Sequence, residues 1–261
     1  MTYCISIKLD EGLVFLSDSR TNAGVDDVST YRKMTIFNED EDRTIVLMSS
    51  GNLAICQSIR QILIRKEQAE SIWNASSLLD VAETVGEAIK KIHKRDSPTM
   101  NDLGVEFNCS FILGGQIKNE ECRLFKIYSA GNFIEAGTEC IYFQIGESKY
   151  GKPILDRVLN PNMDLNVAAK CALLSMDSTL RSNISVGLPL DLLVYEKNDF
   201  GISNYLSITD ENSYFKEIRS SWGSYLREAF NHLKDIDWSN SKLRHSRDTY
   251  NKQLLQKKIS K

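Results

Sequence analysis

Thr2-Tyr3-Cys4-Ile5-Ser6-Ile7-Lys8-Leu9 is followed by Asp10-Glu11-Gly12 and then by Leu13-Val14-Phe15-Leu16-Ser17-Asp18. The first run alternates. Tyr3, Ile5, Ile7 and Leu9 share one face and Thr2, Cys4, Ser6 and Lys8 the other, the pattern of a strand buried on one side. Asp10-Glu11-Gly12 reads as a three-residue hairpin loop with glycine where positive φ is needed, so the chain returns at once as a second strand. In that register Leu9 pairs with Leu13, Cys4 with Asp18 and Thr2 with Arg20. Thr2, Asp18 and Arg20 then share a face, with Thr2 and Asp18 as diagonal neighbours roughly 7 Å apart at Cα. A two-residue loop would slip the pairing by one and turn Asp18 away.

The position of Thr2 gives that face a chemistry. Removal of Met1 would leave a hydroxyl and a free amine on one residue. A threonine hydroxyl is a poor nucleophile at neutral pH and needs a proton acceptor within hydrogen-bond reach, which its own amine supplies. The reference pKa of such an amine is only about 8, and a nearby cation lowers it. Because the N-terminus enters a strand directly, methionine removal without self-cleavage of a propeptide is the expected activation. Cys4 is a rival nucleophile, but Thr2 and Tyr3 block its amine.

Thr2, Ser17-Asp18-Ser19-Arg20 and Tyr31-Arg32-Lys33-Met34 together resemble the proteasome-type N-terminal-nucleophile (Ntn) hydrolases. Three further runs look most like the bacterial Anbu branch of that group: Asp18 to Gly24, Gly146-Glu147-Ser148-Lys149-Tyr150-Gly151-Lys152-Pro153, and Arg181 to Gly187. The resemblance covers about residues 2–236. It implies an α+β fold, a four-layer αββα sandwich, with residues 237–261 left as a basic tail or helix.

Carried over residue by residue, the resemblance makes Thr2 the nucleophile, Asp18 the buried aspartate and Lys33 the catalytic lysine. A lysine placed between Asp18 and the Thr2 hydroxyl would favour a neutral amine and a developing alkoxide. Gly51 matches the glycine whose backbone amide binds the oxyanion. Met34 to Phe37 and Thr44 to Met48 read as two strands, and Ser49-Ser50-Gly51-Asn52 then opens a helix, whose N-terminus favours negative charge. Arg20 supports the same face. Two departures stand out. Where proteasome subunits set a serine beside the nucleophile, this chain has Glu147 followed by Ser148, either of which could contact Thr2. The later aspartate and serine that support the amine align with Ser182 and Ser185, so the aspartate is missing.

Elsewhere helices are marked by apolar stripes: Leu53 to Gln68, and Leu78 to Lys94 with Ser77 and Asp80 as an N-terminal capping pair. Residues 107–146 return to strand patterns at Cys109–Gly115, Arg123–Tyr128 and Ile141–Ile145. A helix from Asp164 to Thr179, lined by Ala168, Cys171, Ala172 and Ser175, is built for close packing. Leu190–Glu196 and Gly201–Ser207 read as the last strands. That order suits four layers. Asp210 to Asp235 reads as a helix with an aromatic face that packs on its own sandwich or on a neighbouring subunit.

Six cysteines in apolar positions without metal-type spacing read as buried reduced thiols, hence a cytoplasmic protein. His93, His232 and His245 lack partners at ligand spacing and read as surface residues, so no zinc centre is expected. A net charge of −3 argues against a nucleic-acid binder, and no signal peptide, repeat or membrane-spanning run is present. The expected activity is hydrolysis of amide bonds in peptide or unfolded-protein substrates, without metal or organic cofactor. The resemblance implies a homo-oligomer of many copies, as a ring or an open spiral, with any unfoldase partner unspecified. Two other readings are an Ntn hydrolase of small amides and a non-catalytic scaffold that keeps fold and assembly.

Overall fold

The computed structural model describes residues 1–22, 28–65 and 71–238. Strands β1 (Tyr3–Leu9) and β2 (Gly12–Asp18) form the N-terminal hairpin. Its loop is Asp10-Glu11, since Leu9 pairs with Gly12 and Cys4 with Ser17. The three-residue loop expected from Gly12 is therefore corrected. Gly12 has φ +151°, but the demand comes from tertiary structure: a Cβ there would lie 2.0 Å from the Tyr195 carbonyl oxygen. Arg20 is not paired with Thr2. It opens β3 (Arg20–Asn22), which pairs with β4 (Val28–Thr30) in a separate ribbon.

The hairpin lies at the centre of one sheet, ordered β10-β1-β2-β11-β12, with β10 (Tyr142–Gly146), β11 (Leu190–Glu196) and β12 (Asn204–Ile208). The second sheet runs β5 (Met34–Glu39), β6 (Arg43–Gly51), β7 (Cys109–Ile117), β8 (Arg123–Ile127) and β9 (Phe133–Glu135) in sequence order. Cys4, Leu13 and Phe15 meet Val46, Met48, Ile112 and Leu124 between the sheets. Tyr3, Ile5, Ile7, Val14 and Leu16 face α3 (Lys152–Val158) and α4 (Leu165–Ser182). On the far side Ile45, Leu47, Phe111 and Leu113 are covered by α1 (Leu53–Leu63) and α2 (Leu78–Asp102). The layers are thus α, β, β, α.

Strand β1 is buried on both faces, not one: Cys4 and Ser6 are as inaccessible as Tyr3 and Ile5. The alternation distinguishes large from small residues. The large set fills the space under α4, whose Ala168, Ala172 and Ser175 make room for it, and the small set lets the two sheets approach. Each large apolar side chain so buried contributes about 1.5–3 kcal/mol.

Ser77 caps α2, its Oγ accepting from the Asp80 amide at 3.1 Å. That helix runs through Pro98 to Asp102, past the expected end at Lys94. Short elements carry too little periodicity to be anticipated, and α3, β3, β4 and β9 went unforeseen. Helix α1 ends at Leu63; the expected stretch 66–68 lies outside the described residues, as do Gly24, His245 and most of the basic tail. Five of the six free cysteines are buried, but Cys140, expected inside, is exposed beside β10. No helix among the described residues is long and apolar enough to cross a membrane.

The chain divides into compact units Met1–Ser220 and Ser221–Lys261. Helix α5 (Ser213–Asn231) begins in the first, where Phe215 is buried. In the second unit Tyr225, Phe230 and Leu233 are exposed.

Candidate active site

Lys33 directly precedes β5, where its carbonyl accepts from the Ser49 amide of neighbouring β6 at 3.1 Å. This seats its side chain inward. Nζ lies 2.6 Å from Asp18 Oδ1 and 2.7 Å from the Arg20 carbonyl oxygen. Asp18 is the last residue of β2, and its carboxylate also accepts from the Tyr3 amide at 3.0 Å and, through Oδ2, from the Gly187 amide at 3.3 Å. The two-residue hairpin loop does not remove Asp18 from the site, because at the strand end its carboxylate turns back onto the backbone of β1. Burial pushes the Asp18 carboxyl above its usual range, while the Lys33 ammonium and the two backbone amides pull it back.

Arg20 acts through its backbone and its side chain separately. Its carbonyl holds Lys33, and its guanidinium donates to the Ile184 carbonyl at 2.9 Å. Gly187 is what lets it pass, since a Cβ there would lie 2.1 Å from Arg20 Nε. One arginine thereby ties the ammonium to the loop whose Gly187 amide holds Asp18.

Thr2 is clamped from the end of β10. Its carbonyl accepts from the Glu147 amide at 2.7 Å, and Gly146, at φ +80°, approaches so closely that a Cβ would lie 2.0 Å from that same oxygen. Thr2 is 8 % exposed and the preceding Met1 62 %. The Met1 amine is lowered from its ordinary value, first by burial and then by Lys33, with Asp18 and Glu147 opposing. Thr2, Lys33 and Gly51, with Tyr31, Leu53 and Cys56, line a cavity of about 30 Å³.

Gly51 ends β6 at φ +116°, and Asn52 caps α1 by accepting from the Ala54 and Ile55 amides. A side chain at Gly51 would strike the Asn108 carbonyl at 2.4 Å. Its glycine is therefore required by β7, and its place at a helix N-terminus puts positive partial charge at the cavity wall.

Of the two residues offered as neighbours of Thr2, Glu147 makes the contact. Its carboxylate accepts from Asn183 Nδ2 at 3.0 Å and lies 3.5 Å from Lys149 Nζ. Ser148 faces a different cleft, beside Tyr142 and Lys152. Ser182 is exposed at the end of α4, and Ser185 donates its backbone amide to Asn183 Oδ1 at 2.9 Å. Asn183, which caps that helix, is the residue that joins this loop to Glu147. Sequence reasoning passed over it, although an asparagine at a helix C-terminus between Ser182 and Ser185 was a usable signal. Among the described residues no group of three or more His, Cys, Asp or Glu is arranged to hold a metal ion.

Thr2, the buried Lys33 and Gly51 thus share one small cavity, with the Asp18 carboxylate holding the Lys33 ammonium from behind. The family model for the proteasome subunit matches residues 2–193. The chain belongs to that family. Solved structures agree in fold and sequence. Anbu from Yersinia bercovieri is 48 % identical with a TM-score of 0.84, over 90 % of this chain and 98 % of that one. A Gly-1 mutant of Anbu from Hyphomicrobium sp. strain MC1 is 43 % identical with a TM-score of 0.85, over 91 % and 100 %. The helical assembly of the Anbu complex from Pseudomonas aeruginosa is 41 % identical with a TM-score of 0.86, over 91 % and 99 %. Among curated proteins none matches. Within the proteasome subunit family this chain is most like Anbu, and the Anbu likeness extends past residue 193 to about nine-tenths of its length.

Proposed function

We propose that this chain is a threonine hydrolase of peptide amide bonds whose nucleophile is Thr2 once Met1 has been removed. The observation that carries the reading is the Lys33 ammonium, held by Asp18 and the Arg20 carbonyl in the wall of the cavity that Thr2 and Gly51 share. In this mechanism the Thr2 amine accepts the proton of its own Oγ as that oxygen attacks the substrate carbonyl carbon. Lys33 stabilises the alkoxide and keeps the amine neutral, and the Gly51 amide receives the oxyanion. The amine then passes the proton to the departing nitrogen, and water hydrolyses the resulting ester. Asp18 holds and orients the Lys33 ammonium. Glu147 and Asn183 fix the backbone on which Thr2 sits, with Ser182 and Ser185 flanking.

The enclosed space beside Thr2 is small, but it adjoins an open cleft of about 860 Å³ past Tyr31, which favours peptides over small amides. Assembly into a homo-oligomer is part of the proposal, supported by the helical assembly of the Pseudomonas aeruginosa relative and by the exposed aromatic residues of the second unit. So is a reducing, cytoplasmic location, which the buried free thiols fit, and the division at residue 236 into a catalytic domain and a basic tail.

Glu147 in place of a serine, and the lack of the supporting aspartate, motivate a second reading, a scaffold without turnover, against which the intact Thr2, Asp18 and Lys33 stand. Hydrolysis of a fluorogenic peptide library separates the two. Turnover that Thr2→Ser retains in part and Thr2→Ala abolishes supports the hydrolase. Absence of turnover in protein shown to lack Met1 supports the scaffold.

A further inference from the structure

The cleft beyond Tyr31 is charged on one side only. It lies along α1, Arg65 just past its end and the second half of α2, where Arg60, Arg65, Lys91 and Arg95 line it with Gln57 and Ser58. No carboxylate is among its described lining residues. Two of the cations are held in place: Arg60 Nε donates to Thr35 Oγ1 at 3.0 Å, and Arg95 Nη2 to Ser58 Oγ at 3.3 Å. Arg95 is also paired with Asp96, whereas Arg60, Arg65 and Lys91 form no ion pair among the described residues. Among the described residues the lining of the cleft therefore carries cations and no anion.

The earlier half of α2 carries the opposite sign. Asp80, Glu83 and Glu87 line a neighbouring cleft of about 630 Å³, which meets the basic one at Ile62 and Lys91. An anionic chain is repelled from the first and drawn to the second. The basic cleft and the Thr2 cavity meet at one residue, Tyr31. Leu53 and Cys56 of α1 face the cavity, and Ala54 and Gln57 of the same turns face the cleft.

We propose that the α1–α2 cleft is an exosite for the acidic flank of a peptide substrate, so that chains bearing Asp or Glu beyond the residues at Thr2 are preferred. The proposal rests on the hydrolase reading only for the chemistry that follows capture; the binding itself is independent of turnover. Carboxylates several residues from the scissile bond would lie against Arg60, Arg65 and Lys91, with guanidinium forks suited to bidentate contact.

The test is fluorescence anisotropy on the full chain carrying Thr2→Ala, with labelled peptides that share one neutral core and end in a short run of Glu, Gln or Lys at either terminus. The Glu-tailed peptide is expected to bind more tightly than the Gln-tailed one by about fivefold to tenfold, the scale that a few exposed charge pairs supply. That advantage should shrink as salt is raised. Arg60→Glu with Lys91→Glu should abolish the preference and leave the Gln-tailed peptide unchanged. Should the reversal fail to fold by circular dichroism, Arg60→Gln with Lys91→Gln removes the charge more gently and should erase the same preference. Equal binding of the three peptides overturns the proposal. So does a reversal variant that keeps the preference, or one that changes only oligomer size, which would make this face an interface between copies. If a peptide epoxyketone fails to label Thr2 while the Glu preference persists, the hydrolase reading fails and the exosite stands.

Discussion

The Lys33 ammonium and the Asp18 carboxylate lie 2.6 Å apart, with side chains 6 % and 0 % exposed. A pair so deeply withdrawn from water contributes little to stability as a pair, yet removal of either member strands a buried charge. The pair is better understood as a means of holding one positive charge beside Thr2.

Asp18→Asn and Lys33→Met should each lower unfolding free energy by about 3–5 kcal/mol, the cost of an uncompensated buried ion. The double variant should be more stable than the sum of the single losses implies, because it buries no charge. All three should lose Thr2 reactivity. Urea unfolding beside a labelling assay checks both halves, and a double variant that is no better than additive would show that the two residues are not coupled.

With Met1 in place the terminal amine titrates below its ordinary value through burial and through Lys33, and the same two influences are expected to act on the Thr2 amine once Met1 is removed. A positive neighbour disfavours the protonated amine, so the neutral, base-competent form persists to lower pH. The acidic limb of Thr2 reactivity should therefore fall below the free α-amine value of about 8. In Lys33→Met any residual reactivity should have its limb displaced upward. Initial labelling rates across pH report this directly, and an unmoved limb would remove Lys33 from the electrostatics of the amine.

Asn183→Ala releases the Glu147 carboxylate from its 3.0 Å donor. Loss of a hydrogen bond to a charged group should cost about 1.5–3 kcal/mol and reduce Thr2 reactivity without abolishing it, since Glu147 grips Thr2 through its backbone amide. Thermal unfolding and labelling rate together test the assignment.

Strand alternation marked Thr2 and Asp18 at the open end of one hairpin, whereas Lys33 and Gly51 were singled out by the family resemblance; the structure places Thr2, Lys33 and Gly51 around one cavity, with Asp18 bonded to Lys33. The hairpin register was not legible. Gly12 looks like a loop glycine in a linear reading, but its conformation answers to the backbone of β11 at Tyr195, far away in sequence. Arg20 failed for the same reason, its guanidinium serving the loop at Ile184 and Gly187. Glu147 and Ser148 could not be separated until the close approach of Gly146 to Thr2 was known. Alternation in β1 correctly gave a strand but not double-sided burial, because small polar residues between two sheets look like a solvent face.

Intact-mass analysis of the purified protein after incubation with a peptide epoxyketone is the most direct test, since that electrophile closes a ring only with a hydroxyl and a free amine on the same residue. The mass should correspond to the chain without Met1 plus one inhibitor, and Thr2→Ala should show none. Unmodified protein that nevertheless lacks Met1 would contradict the assignment of Thr2 as nucleophile.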